Sequence, residues 1–255
     1  MSIATNKARI EGAKVAIAAA IADKGVTVPD GTKIDGMADL IASIETGGGS
    51  SYDISASVLD RTNPNPTIDP TVTVIAPYMF YRYENLAWDS IPDTVTKIGQ
   101  EAFSQCTNVT FSTIPSSVNS IGNSAFYKCE KITISTWPSN ITSIPDGCFT
   151  SCSSITSMMI PEGIVSIGAN CFGKTGLSSI IIPSTITNIG HMAFNNCGNL
   201  ISVVFLSTPT IGNIIFNGCT NLTDIKVPWA EGEVAGAPWG ATNATITYNY
   251  VSPEV

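Results

Sequence analysis

The side chains that could carry out bond chemistry are few, and most of them recur at fixed positions. Five of the seven cysteines, Cys106, Cys129, Cys152, Cys197 and Cys219, share one position of a repeating pattern, and Cys148 and Cys171 share another. A thiol nucleophile needs a neighbouring base, and a zinc site needs ligands at paired short spacings. His191 is the single histidine and no Cys-x-x-Cys pair occurs, so neither chemistry is assembled. Asp93 and Glu162 follow an Ile-Pro pair in different repeats, and Asp146 sits in a Pro-Asp-Gly turn. Glycoside hydrolysis needs two carboxylates flanking one bond. Acidic residues spread over separate turns read instead as turn formers. The Gly47–Gly49 run lacks the Lys-Ser/Thr of a phosphate loop, and no Gly-x-Ser-x-Gly elbow is present. The expectation is a non-enzymatic chain with no cofactor and no bound metal.

The pattern that places these residues is a repeat. Residues 91–113 read IPDTVTKIGQEAFSQCTNVTFST and residues 114–136 read IPSSVNSIGNSAFYKCEKITIST. A phenylalanine marks each unit: Phe80, Phe103, Phe126, Phe149, Phe172, Phe194 and Phe216, at spacings of 23, 23, 23, 23, 22 and 22. An isoleucine stands five residues before each Phe, from Ile75 to Ile211, and an aliphatic anchor six or fewer residues after it, from Leu86 to Leu222. A unit this short cannot bury its own apolar side. Stacked units align equivalent positions into continuous ladders and close a shared core. The residue before Phe is small (Ala102, Ala125, Cys148, Cys171, Ala193), as a crowded inner position requires. The Ile-Pro pairs end a strand, because proline cannot donate to a ladder. Stacked rungs lie about 4.8 Å apart, whereas a disulfide needs Cβ atoms at about 3.8 Å. The cysteines therefore read as buried small apolar side chains.

The template I-P-x-x-V-x-x-I-G-x-x-A-F-x-x-C resembles the BspA-like leucine-rich repeat of bacterial surface and adhesion proteins. That resemblance and the period predict an α/β-type repeat: a right-handed leucine-rich-repeat solenoid, mostly β and loop, with a parallel sheet on one side and a small N-terminal helical hairpin. Four segments are expected. Residues 1–46 form a helical attachment or oligomerisation segment, and residues 47–67 a Gly/Ser joint and entry cap. Residues 68–227 form a solenoid of seven coils, and residues 228–255 a C-terminal cap in which Trp229 and Trp239 act as lids and ATITYNY as a strand.

In the first segment, Thr5–Ala22 is Ala-rich and reads as a helix, and Met37, Leu40, Ile41 and Ile44 make one apolar stripe on a second. Ile10, Val15, Ile17 and Ile21 do not fit a single stripe, so more than one side of the first helix needs cover. Val15–Ala22 after Lys7, Arg9 and Lys14 has the outline of a signal peptide. However, the run is short, Glu11 interrupts the basic region and no clear cleavage context follows. No run approaches the length of a membrane span, so membrane insertion is not expected.

Charged residues are 13% of the chain and the net charge is −8. From Thr175 to Thr223 there is no Asp, Glu, Lys or Arg. An acidic chain without a basic face is a poor nucleic-acid binder; a neutral polar surface suits proteins or carbohydrate. Strand alternation places the residues two and four after each anchor outward. The resulting candidate contact surface is Trp88, Phe111, Ile134, Met159, Ile181 and Val204. A register shifted by one residue would turn such side chains inward.

The two ends, K-x-x-I-x-x-A-K-x-A-I with its G-x-x-V-P turn and PWGATNATITYNY, are similar to segments of bacteriophage tail and tail-fibre proteins. That likeness implies a virion protein assembled in the bacterial cytoplasm. It would attach to other virion proteins through residues 1–46, as a homotrimer, and recognise a host-cell receptor through its solenoid. The BspA-like resemblance implies instead a secreted or cell-surface adhesion protein that binds host proteins or glycans.

Overall fold

The computed structural model describes residues 63–68, 70–135 and 137–252. The helices and the trimer seam expected within residues 1–46, and the joint that follows them, lie outside the described residues. Among the described residues the chain winds as a parallel β-solenoid and forms no helix.

Two ladders of short strands run along it. The first joins β1 (Val74–Ile75), β2 (Lys97–Ile98) and β3 (Ser120–Ile121), then resumes with β4 (Ser143–Ile144), β5 (Ser166–Ile167), β7 (Asn188–Ile189) and β9 (Thr210–Ile211). Its isoleucines stack in register, Ile75 on Ile98 on Ile121 and Ile144 on Ile167 on Ile189 on Ile211. The second ladder joins β6 (Ser179–Ile182), β8 (Ser202–Phe205), β10 (Asp224–Lys226) and β11 (Thr245–Thr247). The single sheet expected from the repeat is thus two ladders, the first of them divided into two sheets.

The gap in the first ladder has a chemical cause. Gly99, Gly122, Gly168, Gly190 and Gly212 each donate their N–H to the isoleucine carbonyl of the preceding coil at 2.8 Å. Coil four has Pro145 at that position. Proline has no N–H, so the carbonyl of Ile121 loses its partner and β3 and β4 do not pair.

Between the ladders lies the turn that carries Phe. The residues two before and two after Phe are left-handed in coil after coil, as in Tyr78 and Arg82 (φ 60° and 55°), Glu101 and Gln105 (51° and 65°), and Met192 and Asn196 (both 57°). Left-handed non-glycine residues cost about 1 kcal/mol or more each. Hydrogen bonding offsets that cost. The N–H groups of Tyr78, Phe80 and Arg82 donate to the carbonyls of Gln100, Ala102 and Ser104 in the next coil, at 2.9, 2.8 and 2.7 Å. The same triplet of forward bonds recurs through Met192, Phe194 and Asn196. The residues between them close back locally, as Tyr81 N–H does on Tyr78 C=O at 3.0 Å.

The core is a spine of rings. Phe80, Phe103, Phe126, Phe149, Phe172, Phe194 and Phe216 are fully buried, with consecutive centroids 5.3–5.7 Å apart and near-parallel planes. The winding continues beyond the expected seven coils. Phe216 N–H donates to Trp239 C=O at 3.0 Å, and β11 pairs in parallel with β10, Ile246 beside Ile225. The segment expected as a cap is therefore an eighth rung. Trp239 stands 23 residues after Phe216, with its ring 5.9 Å from Phe205 and 6.1 Å from Trp229.

Candidate functional site

The groups singled out for chemistry are spread along the solenoid. His191 is exposed in a turn, as are Asp93, Asp146 and Glu162. Asp146 Oδ1 accepts the Ala169 N–H at 2.6 Å, and the Glu162 carboxylate accepts the Ser184 N–H and hydroxyl at 3.3 and 3.0 Å. These two carboxylates hold turns of adjacent coils together. Among the described residues no cluster of His, Cys, Asp or Glu could hold a metal ion, and no helix is long and apolar enough to cross a membrane.

All seven cysteines are buried free thiols. Cys106, Cys129, Cys152, Cys197 and Cys219 donate to the Phe carbonyl of the preceding coil at 2.9–3.1 Å. Thr175, which with Tyr83 replaces cysteine in that column, bonds the Phe172 carbonyl of its own coil at 2.8 Å and meets Cys197 Sγ at 3.3 Å. The column is thus a line of weak donors as well as a filler of space. Burial pushes the thiols of Cys129, Cys148, Cys152 and Cys171 well above the ordinary cysteine range. A thiol so held is a poor nucleophile. Adding reductant should leave the melting temperature unchanged, and Cys129→Ala should cost less than truncating a spine phenylalanine. A drop in melting temperature under reduction would show that disulfides form after all.

The proposed contact face divides in two. Phe111 and Ile134 are fully buried, and Trp88 packs inward with its ring 4.9 Å from Phe80 and its Nε1–H on the Pro66 carbonyl at 3.1 Å. Phe111 and Ile134 are core residues, and Trp88 is half-buried against the core. In coils one to three the apolar positions after the anchor are the second and fifth, as in Phe111 and Ile114. In later coils they are the third and fifth, as in Ile180 and Ile182. Two inward residues three apart cannot alternate, so the first coils form no strand here. Two inward residues two apart make β6, β8 and β10. Outward alternation therefore holds in coils four to seven, where the inward residues are two apart, although residues 156–160 of coil four form no strand. Ile181 is 55% exposed and Val204 beside it is half-buried on the sheet face, and Met159, at the equivalent position of coil four, is 66% exposed.

The change of pattern opens a groove. Coil four lies beside β6, but among the described residues Ser178 N–H to Thr156 C=O is the one backbone bond between residues 156–160 and 178–182. The space there is about 460 Å³, lined by Ser157, Met158, Met159, Ile181, Pro183 and Leu206 among others. Sequence reasoning missed the groove, although the switch from Trp88, Phe111 and Ile134 to Met158, Ile180 and Val203 was its visible sign.

This coil geometry, with its phenylalanine spine and a laterally exposed sheet face, defines a leucine-rich-repeat solenoid with a binding or structural role. The family model for the BspA type leucine-rich repeat region matches residues 73–201 and 188–231, in six copies. The chain belongs to that family. Among solved structures it is similar to a leucine-rich cell-surface protein of Faecalibacterium prausnitzii, at 27% identity and a TM-score of 0.53. That match covers 62% of this chain but only 53% of the other. A T. pallidum leucine-rich-repeat protein is 30% identical with a TM-score of 0.47, covering 55% and 67% of the two chains. A Bacteroides ovatus leucine-rich-repeat protein is 23% identical with a TM-score of 0.46, covering 71% and 60%. Comparison with the curated proteins finds no match. The family model begins at residue 73 and stops at residue 231, so it covers neither end on which the likeness to phage tail proteins rests.

Proposed function

We propose that this chain is a non-enzymatic recognition protein of the bacterial cell surface, which binds a host protein or glycan through the sheet face of coils four to six. One observation carries the reading: an aliphatic line of exposed Met159 and Ile181 and half-buried Val204, beside an apolar groove on a face otherwise built of Ser and Thr. Exposed apolar patches on a soluble scaffold mark contact sites. The similarity to a cell-surface protein of F. prausnitzii supports the location.

The test is binding of the full chain to a panel of host proteins and glycans. Ile181→Lys should weaken the bound partner at least about tenfold, the effect of losing about 1.4 kcal/mol, while leaving the melting temperature in place because the side chain is exposed. Equal binding by wild type and variant would remove this face from the function.

The likeness of both ends to phage tail proteins favours a second reading, a virion component displaying the same face. The residues PWGATNATITYNY here form the eighth rung of the solenoid, so repeat geometry already accounts for their pattern. Protease shaving of intact bacteria should release this protein under the first reading. Recovery in purified phage particles, and not in the shaved fraction, would replace it with the second.

A further inference from the structure

Among the described residues β11 pairs with a strand on one side only. In a parallel pair, alternate residues turn both N–H and C=O to the same neighbour. Thr245 N–H donates to Thr223 C=O at 2.9 Å and Val227 N–H donates to Thr247 C=O at 2.9 Å, so Thr245 and Thr247 serve β10. By that alternation Ala244, Ile246 and Tyr248 turn their backbone groups away from the solenoid. Among the described residues nothing donates to them or accepts from them. The side chains of the same three residues are packed against the core yet only partly covered, whereas Thr245, Thr247 and Asn249 are exposed. An open row of backbone groups and a half-covered apolar row thus coincide.

Natural sheets blunt such edges with lysine, proline or an inward charge. This one has none of these: although the chain carries a net charge of −8, no Asp, Glu, Lys or Arg occurs from Val234 to Ser252. Thr, Ile and Tyr are strong strand formers. We propose that β11 pairs antiparallel with β11 of a second copy about a two-fold axis through Ile246, which makes the protein a tail-to-tail dimer.

The edge is self-complementary in that arrangement. Ile246 meets Ile246 of the second copy and exchanges both backbone bonds with it. Ala244 meets the partner's Tyr248, again with outward-facing groups on both sides. Thr245 and Thr247 meet as cross-strand threonine pairs, a favourable combination. The half-covered row Ala244, Ile246 and Tyr248 lies on the core side, so the pairing continues both the sheet and the core across the axis. The uncharged stretch from Val234 to Ser252 allows two acidic molecules to approach without like charges meeting along the paired strands.

Light scattering on the full chain at tens of micromolar should give twice the protomer mass of 26.7 kDa. Ile246→Pro removes an N–H that the solenoid does not use, a substitution that edge strands tolerate. It should return the protein to the protomer mass with its melting temperature close to wild type. Should the proline disturb the last coil, the double variant Thr245→Lys/Thr247→Lys decides. It changes two exposed side chains and sets lysines opposite one another across the axis, and it too should be monomeric. A wild-type monomer, a trimer, or a dimer that persists in the folded variant would overturn the proposal; pairing of the edge only with a different protein would appear as the first of these.

Discussion

Phe126→Ala should destabilise the solenoid by about 3–5 kcal/mol, the cost of a phenylalanine cavity that cannot collapse. The ring is fully buried, 5.7 Å from Phe103 at 2° and 5.7 Å from Phe149 at 6°, with Phe111 edge-on at 6.3 Å. Removing it takes contacts from three rings in the two flanking coils, Phe103 and Phe111 on one side and Phe149 on the other. The surrounding backbone is fixed by forward hydrogen bonds on both sides, from Phe103 N–H to Ala125 C=O at 2.8 Å and from Phe126 N–H to Cys148 C=O at 3.1 Å. The neighbouring coils therefore cannot close the gap without breaking those bonds. Urea denaturation of the full chain measures the loss. A change below about 1 kcal/mol, the size of an ordinary tolerated substitution, would mean that the spine does not carry the core.

Gly122→Ala should be destabilising at the upper end of the about 1–3 kcal/mol that overpacking costs, or beyond it. A Cβ on Gly122 would lie 2.3 Å from Gln100 N, 2.6 Å from Gln100 Cα and 2.7 Å from Gly99 C. Those atoms are backbone of the preceding coil, so no side chain can swing aside. Relief requires the two coils to part, which would break the bond from Gly122 N–H to Ile98 C=O at 2.8 Å. Gly198→Ala is the control: nothing lies within 4 Å of its added Cβ, so it should change stability by no more than about 0.5 kcal/mol. If Gly122→Ala matched that control, the coils would not touch at the glycine column.

The phenylalanine beat, the isoleucine five residues before it and the small residue between them were legible because each must occupy one environment in every coil. Stacking converts a spatial constraint into a sequence period, and the spine follows from it directly. The exposed face was only half legible. Alternation was read in one register throughout, and that holds for Met159, Ile181 and Val204, where the inward residues are two apart. It fails for Trp88, Phe111 and Ile134, where they are three apart and no strand forms. The inward spacing itself was in the sequence, but anchor and Ile-Pro pair keep the same separation in both kinds of coil, which hid the change. The eighth rung was harder to see because tryptophan replaces phenylalanine at its beat, and no cysteine or leucine follows at the usual distance. The break at Pro145 was present as an Ile-Pro where coils two, three and five to seven have Ile-Gly. Its meaning needed the hydrogen bond that glycine makes.

The forward bonds of the phenylalanine turn also bear on how the molecule can change length. Each of coils one to six gives three N–H groups to the coil after it, and each of coils two to seven receives three from the coil before it. A whole unit is therefore neutral in donors and acceptors. Deleting residues 104–126 in frame would bring Phe103 up to Tyr127, so that Ala102-Phe103 stands where Ala125-Phe126 stood and every remaining coil still finds a complementary neighbour. Deleting half of that stretch would strand donors against donors and throw the rings out of line. Variation in the size of this scaffold is thereby confined to integer steps, and a gene that gains or loses coils can do so without any compensating change elsewhere in the chain.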